Sequence, residues 1–241
     1  MRVAAVFRHY VSSLEEFGTA VRVFGRAGML RPSRPARLAR MGWELQRWGF
    51  TLAGGFAANA ARDPEGVAVV DERGTLTFDA LHRRSNAVAN GLVDTGIEPG
   101  AAVAVLCRNH RGFVDATAAL AKLGATALQC NTDFAAAQLR EVIAREQPVA
   151  IISDEEFARV VHDAAPQMPN IFAEDDGSPT RHTIGAFAAP ASDSELPPTR
   201  SGRTIILTSG TTGTPRGVAR GQSSGAGPFR GALHAATAAS R

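Results

Sequence analysis

The 241-residue chain has little of several residue types, and each scarcity excludes a class of protein. Two cysteines, Cys107 and Cys130, are too few for a disulfide framework, and we expect them to be buried free thiols in a reducing cytosol. No apolar run reaches the length of a membrane span, and His9, Glu15 and Glu16 interrupt any signal-peptide core. We therefore expect a cytoplasmic protein.

Lysine is nearly absent, because Lys122 is the single lysine among 26 basic residues. Residues 1–50 carry nine arginines against three acids, a balance of +6, so the rest of the chain sums to −3. That distribution argues against a basic nucleic-acid face on the main body. No histidine has the spacing of a metal-ligand set, so we predict no metal site and expect surface or core positions for His9, His82, His110, His162 and His182.

Residues 1–50 are predicted to form an Arg-rich helical leader, broken at Pro32 and Pro35. Within it Leu38, Met41, Leu45 and Trp48 recur at spacings of three and four, which places them on one helical face. Such a basic amphipathic helix is able to rest on an anionic membrane. Packing of the stripe on the body of the protein is the interpretation we favour.

Residues 51–220 are predicted to form an α/β domain with a parallel sheet and helices on both faces. A hairpin is expected around Glu72-Arg73-Gly74, followed by a helix that Asp79 caps. Short apolar strands then alternate with helices, the pattern of such a sheet. The strands are predicted at 101–107, 125–130, 149–154 and 204–207, and the helices at 79–95, 111–123, 135–146 and 155–165.

Two stretches depart from this alternation. Residues 173–203 are polar, acidic and proline-bearing, so we expect a long surface excursion there. Residues 221–241 contain few large apolar side chains, and we predict a disordered tail. This tail contains "GQSSG", a literal match to a hydrolase nucleophile elbow at Ser223, but only His234 and no acid follow it. We therefore set the hydrolase interpretation aside.

The stretch "TSGTTGTPRG" follows the predicted strand 204–207. Its glycines allow the backbone to approach a ligand closely, and successive amides in such a turn form an anion-binding concavity. Its hydroxyls add donors without negative charge, and Arg216 supplies a planar cation that suits phosphate oxygens. The chemistry is that of a phosphate-binding loop, although the glycine spacing and the missing lysine exclude the Walker A form. An ordinary polar surface loop is the alternative.

The order of these residues closely resembles the phosphate-binding signature of the adenylate-forming superfamily, which includes acyl-CoA synthetases and peptide-synthetase adenylation domains. Upstream, "GVAVVDERGTLTFDALHRRSNAVANGLVDTGIEPGAAVAVLCRNH" resembles the opening of that family, and "CNTDFAAAQL" is most like fatty acyl-CoA synthetases. The resemblance covers about residues 55–220. It implies that this chain forms an N-terminal portion of the large domain of the adenylate-forming fold.

The resemblance implies a two-step ligase that uses ATP with Mg²⁺ and coenzyme A. A fatty acid or other carboxylate attacks the α-phosphate to give an acyl-adenylate and pyrophosphate, and the thiol of coenzyme A then displaces AMP. The loop of this family holds the β- and γ-phosphates. By position, the phosphate-binding residues would be Thr208, Ser209, Gly210, Thr211, Thr212, Gly213, Thr214, Arg216 and Gly217.

The chain also departs from the family pattern. Arg216 stands where the family usually has lysine, and the later adenine, ribose and hinge segments do not appear before Arg241. Lys122 matches no catalytic motif, so we assign no catalytic residue. The expectation is a fatty acid–CoA ligase by lineage whose present chain is truncated and inactive alone, with no defined protein partner. The alternative is a non-catalytic remnant that at most binds nucleotide phosphates.

Overall fold

The apolar strands predicted from the sequence assemble into one sheet in the computed structural model. The structure describes residues 34–174, 182–188, 193–199, 202–208 and 216–220, the last five and Thr208 as backbone alone. The elements described below belong to one compact unit within Arg37–Ser223, apart from the first two residues of the first helix.

Within the described ranges the main sheet has six strands in the order β6–β5–β3–β4–β7–β8, and a separate hairpin pairs β1 with β2. Strands β3 to β7 run parallel to their neighbours, while β8 is antiparallel to β7. The strands are β1 Val67–Asp71, β2 Gly74–Thr77, β3 Ala102–Leu106, β4 Thr126–Gln129, β5 Ala150–Ser153, β6 Asn170–Phe172, β7 Arg203–Thr208 and β8 Arg216–Arg220.

Helices connect successive strands of the sheet. In the described part of the chain they are α1 Pro35–Trp48, α2 Leu52–Arg62, α3 Phe78–Asp94, α4 Arg111–Leu123, α5 Ala136–Glu146, α6 Ala158–Ala164 and α7 Ile184–Phe187, with a 3₁₀ turn at Glu155–Phe157 before α6. Helix α4 ends at Gly124, whose φ of +82° is the left-handed conformation that glycine adopts most easily. The sharp stop returns the chain to the amino edge of the sheet, where β4 begins.

Strand β3 is buried on both faces, which is why its sequence has no polar alternation. Val103 and Val105 belong to the core that α3 and α4 cover. Ala104 and Leu106 belong to a second core, covered by α5 and α6 on the opposite face. The predicted α/β class, a parallel sheet with helices on both faces, is confirmed.

Several local predictions need correction. Thr77, not Asp79, caps α3, because its hydroxyl accepts the amide N–H of Ala80 at 3.2 Å. The helix predicted over 155–165 is a 3₁₀ turn followed by the shorter α6. Helix α2 and strands β6 and β8 are additional to the predicted elements, and the expected excursion 173–203 contains the short helix α7.

The predicted apolar stripe of the leader helix packs on the protein by its carboxyl end. Trp48 is fully buried in a cluster with Ala53, Ala57 and Ala121. Met41 and Leu45 are half-buried, whereas Leu38 is 41% exposed. None of the described helices is long and apolar enough to cross a membrane.

Gly91 tests the packing of α3 against α7. A methyl group at this position would lie 2.6 Å from Cγ of Phe187, whereas one at Gly55 of α2 would meet nothing within 4 Å. We expect Gly91→Ala to destabilise the chain by about 1–3 kcal/mol through overpacking. We expect Gly55→Ala to stabilise it by up to about 1 kcal/mol through helix propensity. Denaturant melts of the two variants measure the difference, and equal effects would contradict this packing.

Candidate functional site

The loop singled out from the sequence begins where β7 ends. In the β7–β8 hairpin Thr208 is in register with Arg216, and Leu207 with Gly217. The backbones of three predicted site residues, Thr208, Arg216 and Gly217, therefore lie on two paired strands. The other predicted site residues fall outside the described residues, namely Ser209, Gly210, Thr211, Thr212, Gly213 and Thr214.

The start of this loop is anchored in the core. Leu207, the residue before Thr208, is 1% exposed and packs with Leu128, Phe134 and Val142. Residues 203–206 of β7 also pair with β4. The last residue before the loop is therefore fixed at the carboxyl edge of the parallel sheet.

The carboxyl edge also contains a topological switch point. The segments after β3 and β5, two neighbouring strands, lead to helices on opposite faces of the sheet: α4 follows β3, and the 3₁₀ turn with α6 follows β5. In open α/β sheets, ligands bind in the crevice that such diverging connections create.

Asp154 and His110 join the two sides of this crevice. The Asp154 carboxylate accepts the backbone N–H of Arg108 at 2.6 Å and lies 2.8 Å from Nε2 of His110. Nδ1 of His110 accepts the backbone N–H of Gly112 at 3.0 Å, which caps the amino end of α4. These contacts fix the tautomer of the neutral imidazole, with its proton on Nε2.

The hydrogen bond to Asp154 raises the pKa of His110. A second proton would nevertheless occupy Nδ1 and point at the N–H of Gly112, so protonation removes the cap. The imidazole is thus held by two structural contacts. His110 was expected at the surface or in the core without a specific role, and the sequence carried no signal for this capping arrangement.

Arg108 and Glu156 form the outer ion pair of the crevice. The guanidinium donates to both carboxylate oxygens at 2.8 and 3.1 Å and lies over the ring of Phe157, 5.2 Å from its centroid. The hydrogen bond from Arg108 lowers the pKa of Glu156. The charged side chains of the crevice therefore pair with one another, which favours a structural role for them over ligand binding.

A cavity of about 30 Å³ lies beside His110 and is lined by residues that include Asp71, Arg84 and Arg111. The Arg111 guanidinium donates to Asp71 at 2.8 Å and lowers the pKa of that carboxyl. The space suits a water molecule and is far too small for a nucleotide. It is not a substrate pocket.

The remaining candidate residues lie outside β7 and β8. Lys122 is 1% exposed in the last turn of α4, at the amino edge of the sheet. Cys107 belongs to the core on the α4 side, and Cys130 packs on the α5 side, so the two free thiols face different layers. No group of three potential metal ligands occurs among the described residues. The "GQSSG" match falls outside them.

The comparisons with known proteins agree with the fold. Residues 56–225 match the model of a family described as "AMP-binding enzyme". A medium/long-chain-fatty-acid–CoA/3-oxocholest-4-en-26-oate–CoA ligase of Mycobacterium marinum is 29% identical over 170 residues, which cover 64% of this chain and 31% of that protein. A 2-succinylbenzoate–CoA ligase of Geobacillus kaustophilus is 34% identical over 159 residues, with 64% and 30% covered.

Among solved structures, the N-terminal domain of FACL13 from Mycobacterium tuberculosis is 25% identical, with a TM-score of 0.58. The match covers 75% of this chain and 44% of that one. The match spans less than a third of the length of each of these two CoA ligases.

His110 provides a test of how the crevice is built. His110→Ala removes the cap of α4 and one partner of Asp154, so we expect the free energy of unfolding to fall by about 1–2 kcal/mol. His110→Asn keeps a capping side chain and should recover part of that loss. Urea titrations of the three proteins measure this order. An alanine variant as stable as the wild type would show that the cap contributes nothing.

Proposed function

The chain belongs to the AMP-binding enzyme family, and we propose on this premise that residues 208–217 hold the phosphates of ATP in a carboxylate–CoA ligase. In this reaction a carboxylate displaces pyrophosphate to form an acyl-adenylate, and the thiol of coenzyme A then displaces AMP. The observation that carries the proposal is the position of the loop. It begins at the buried carboxyl end of β7, between two paired strands.

The donors of the loop suit a polyphosphate. The loop offers three kinds of hydrogen-bond donor: threonine and serine hydroxyls, backbone amides that glycine leaves accessible, and the Arg216 guanidinium. Residues 208–217 contain no carboxylate that would repel a phosphate. Mg²⁺ prefers oxygen ligands and often enters a site with the phosphates of its nucleotide. We therefore expect the loop to bind MgATP without providing a carboxylate ligand to the metal.

Arg216 is proposed to stabilise the charge of the pyrophosphate leaving group. The guanidinium stays protonated at all working pH values and is able to contact two phosphate oxygens at once. Lysine at the same position would present a compact single charge. The substitution of arginine for the family's usual lysine is thus expected to keep the electrostatic contribution while changing its geometry.

The fatty acid is proposed as the carboxylate because of the likeness of "CNTDFAAAQL" to fatty acyl-CoA synthetases. Relatives act on other carboxylates as well, as the 2-succinylbenzoate–CoA ligase shows by its name. Since this chain spans about 30% of that relative, we propose that the 241 residues assayed alone bind nucleotide without completing thioester formation. The alternative is a non-catalytic protein that binds phosphates only weakly.

Arg216 variants test the phosphate site. MgATP at a hundredfold excess over its Kd should raise the Tm of the chain by about 5–10 °C. Arg216→Ala should abolish most of this rise because the loop loses its fixed cation, and Arg216→Lys should retain it. Arg159→Ala, which removes an exposed arginine of α6, is the matched control and should leave the rise unchanged.

A rise that persists in Arg216→Ala would contradict the assignment of the loop. If the rise depends on Arg216, fatty-acid-dependent exchange of pyrophosphate into ATP separates the two functions. Exchange would establish adenylation by the chain itself, and its absence would favour phosphate binding alone.

The cellular location of the protein is a separate proposal. The two free cysteines support a reducing, cytoplasmic compartment. A peripheral contact of the leader with an anionic membrane would have to use the exposed side of α1, where Trp43 is 59% exposed and Arg40 is also exposed. No protein partner is proposed.

Vesicle binding tests this contact. If the leader binds a membrane, the chain should co-sediment with anionic vesicles and not with zwitterionic ones, and Trp43→Ala should reduce the bound fraction severalfold. Val70→Ala removes an apolar side chain on β1 that is more exposed than Trp43, at 73%, and should have no effect. Equal binding of wild type and Trp43→Ala would contradict the proposal.

A further inference from the structure

The apolar stripe of helix α1 is exposed at its amino end and buried at its carboxyl end. Leu38 is 41% exposed, Met41 and Leu45 are half-buried, and Trp48 is fully buried. Their spacings of three, four and three place the four side chains on one face of the helix. The docked helix therefore leaves part of the apolar surface of its stripe in water.

Two side chains in the last turn of α1 fasten the helix to the rest of the unit. Trp48 packs among alanines of α2 and α4. Nη2 of Arg47 donates to the carboxylate of Glu195 at 2.8 Å, and Nη1 donates to Glu44 of the same helix at 3.1 Å. Both Arg47 and Glu195 remain partly exposed to solvent, so their ion pair contributes little to docking.

The indole of Trp48 lacks a hydrogen bond in this docked position. Its Nε1 is buried, and the part of the chain that the structure describes provides no acceptor for it. A buried donor without an acceptor loses the hydrogen bond that water would otherwise provide. At a membrane interface a tryptophan ring enters the apolar layer while its N–H meets polar headgroups. Transfer of Trp48 to such an interface would restore the missing hydrogen bond.

A glycine lies at the point where α1 would have to turn. Gly49 follows the helix with a φ of +70°, in the left-handed region that favours glycine. The hydroxyl of Thr51 accepts the amide N–H of Gly54 at 3.0 Å, which caps α2, and donates to the carbonyl of Trp48 at 3.0 Å. Movement of α1 about Gly49 would break the contact with the carbonyl and leave the cap of α2 intact.

The charge of α1 suits an anionic lipid surface. The helix contains Arg37, Arg40 and Arg47 but a single acid, Glu44. A guanidinium binds carboxylate and phosphate oxygens with the same paired geometry. Anionic headgroups are therefore able to compete with Glu195 for Arg47.

We propose that α1 is a releasable arm, which swings about Gly49 on an anionic bilayer and inserts the stripe that the docked state covers. In this step Arg47 exchanges the Glu195 carboxylate for a lipid phosphate, and the Trp48 indole leaves the protein for the interface. The inference rests on the membrane contact proposed above, in which the exposed side of the docked helix meets the bilayer first. Release is the second step, and the two steps fail separately.

Quenching of the two tryptophans in the full chain tests release. Trp43→Phe leaves Trp48 as the single reporter, and Trp48→Phe leaves Trp43. The probe is a phosphatidylglycerol–phosphatidylcholine vesicle with bromine on its acyl chains, which quenches a ring that enters the bilayer. We expect most of the Trp48 emission to be lost on binding, because the released ring lies in the apolar layer.

The outcomes separate the two steps. A vesicle-bound chain in which Trp43 is quenched and Trp48 keeps its emission would overturn release and leave the peripheral contact standing. Wild-type chain that does not co-sediment with the anionic vesicles would overturn both.

A charge-matched pair of variants tests the exchange at Arg47. Glu195→Gln weakens the docked state and keeps an oxygen for the contact with His82, so affinity for the anionic vesicles should rise about two- to fivefold. Glu156→Gln removes the same charge from an exposed ion pair with Arg108 and should leave the affinity close to that of wild type. Equal affinities of the two variants would overturn the proposed exchange.

Discussion

The burial of β3 on both faces is the constraint on which the structure depends. Ala104 and Leu106 pack on one face and Val103 and Val105 on the other, so neither face tolerates water. Helices must therefore cover both faces, and each returns the chain to the amino edge before the next parallel strand. Every connection that leaves a parallel strand lies at the opposite, carboxyl edge. The loop after β7 is at that edge for this reason alone.

Much of the fold could be predicted because its signal is local. Unbroken apolar strands, helical periodicity and the Gly124 stop each act over a few residues, and these elements form where the sequence indicates. Strand β8 was not predicted, because "RGVAR" gains its partner only through the hairpin with β7. Helix α2 was not predicted either, since its "LAGGFAANAAR" sequence is rich in small residues and lacks a strong apolar stripe.

The candidate site also has one part that the local sequence predicts and another that only tertiary contacts create. The glycines, hydroxyl residues and arginine of residues 208–217 are consecutive in the chain, so the sequence alone indicates a phosphate-binding loop. The His110–Asp154 contact joins residues 44 positions apart, and the hydrogen bonds around Lys122, His82 and Glu195 join three helices and the segment 193–199. Such contacts depend on tertiary packing, which no local pattern encodes. Burying Lys122 without a direct carboxylate is costly, and the structure offsets this cost with four acceptors around one amine.

The most direct measurement is a competition experiment for MgATP binding to the wild-type chain. Pyrophosphate represents the phosphate part of ATP, and adenosine represents its nucleoside part. Residues 208–217 are proposed to bind the phosphate part. Pyrophosphate should displace labelled ATP with an affinity near that of ATP itself, whereas adenosine should not compete. Displacement by adenosine, with pyrophosphate ineffective, would contradict the assignment of the loop to the phosphates.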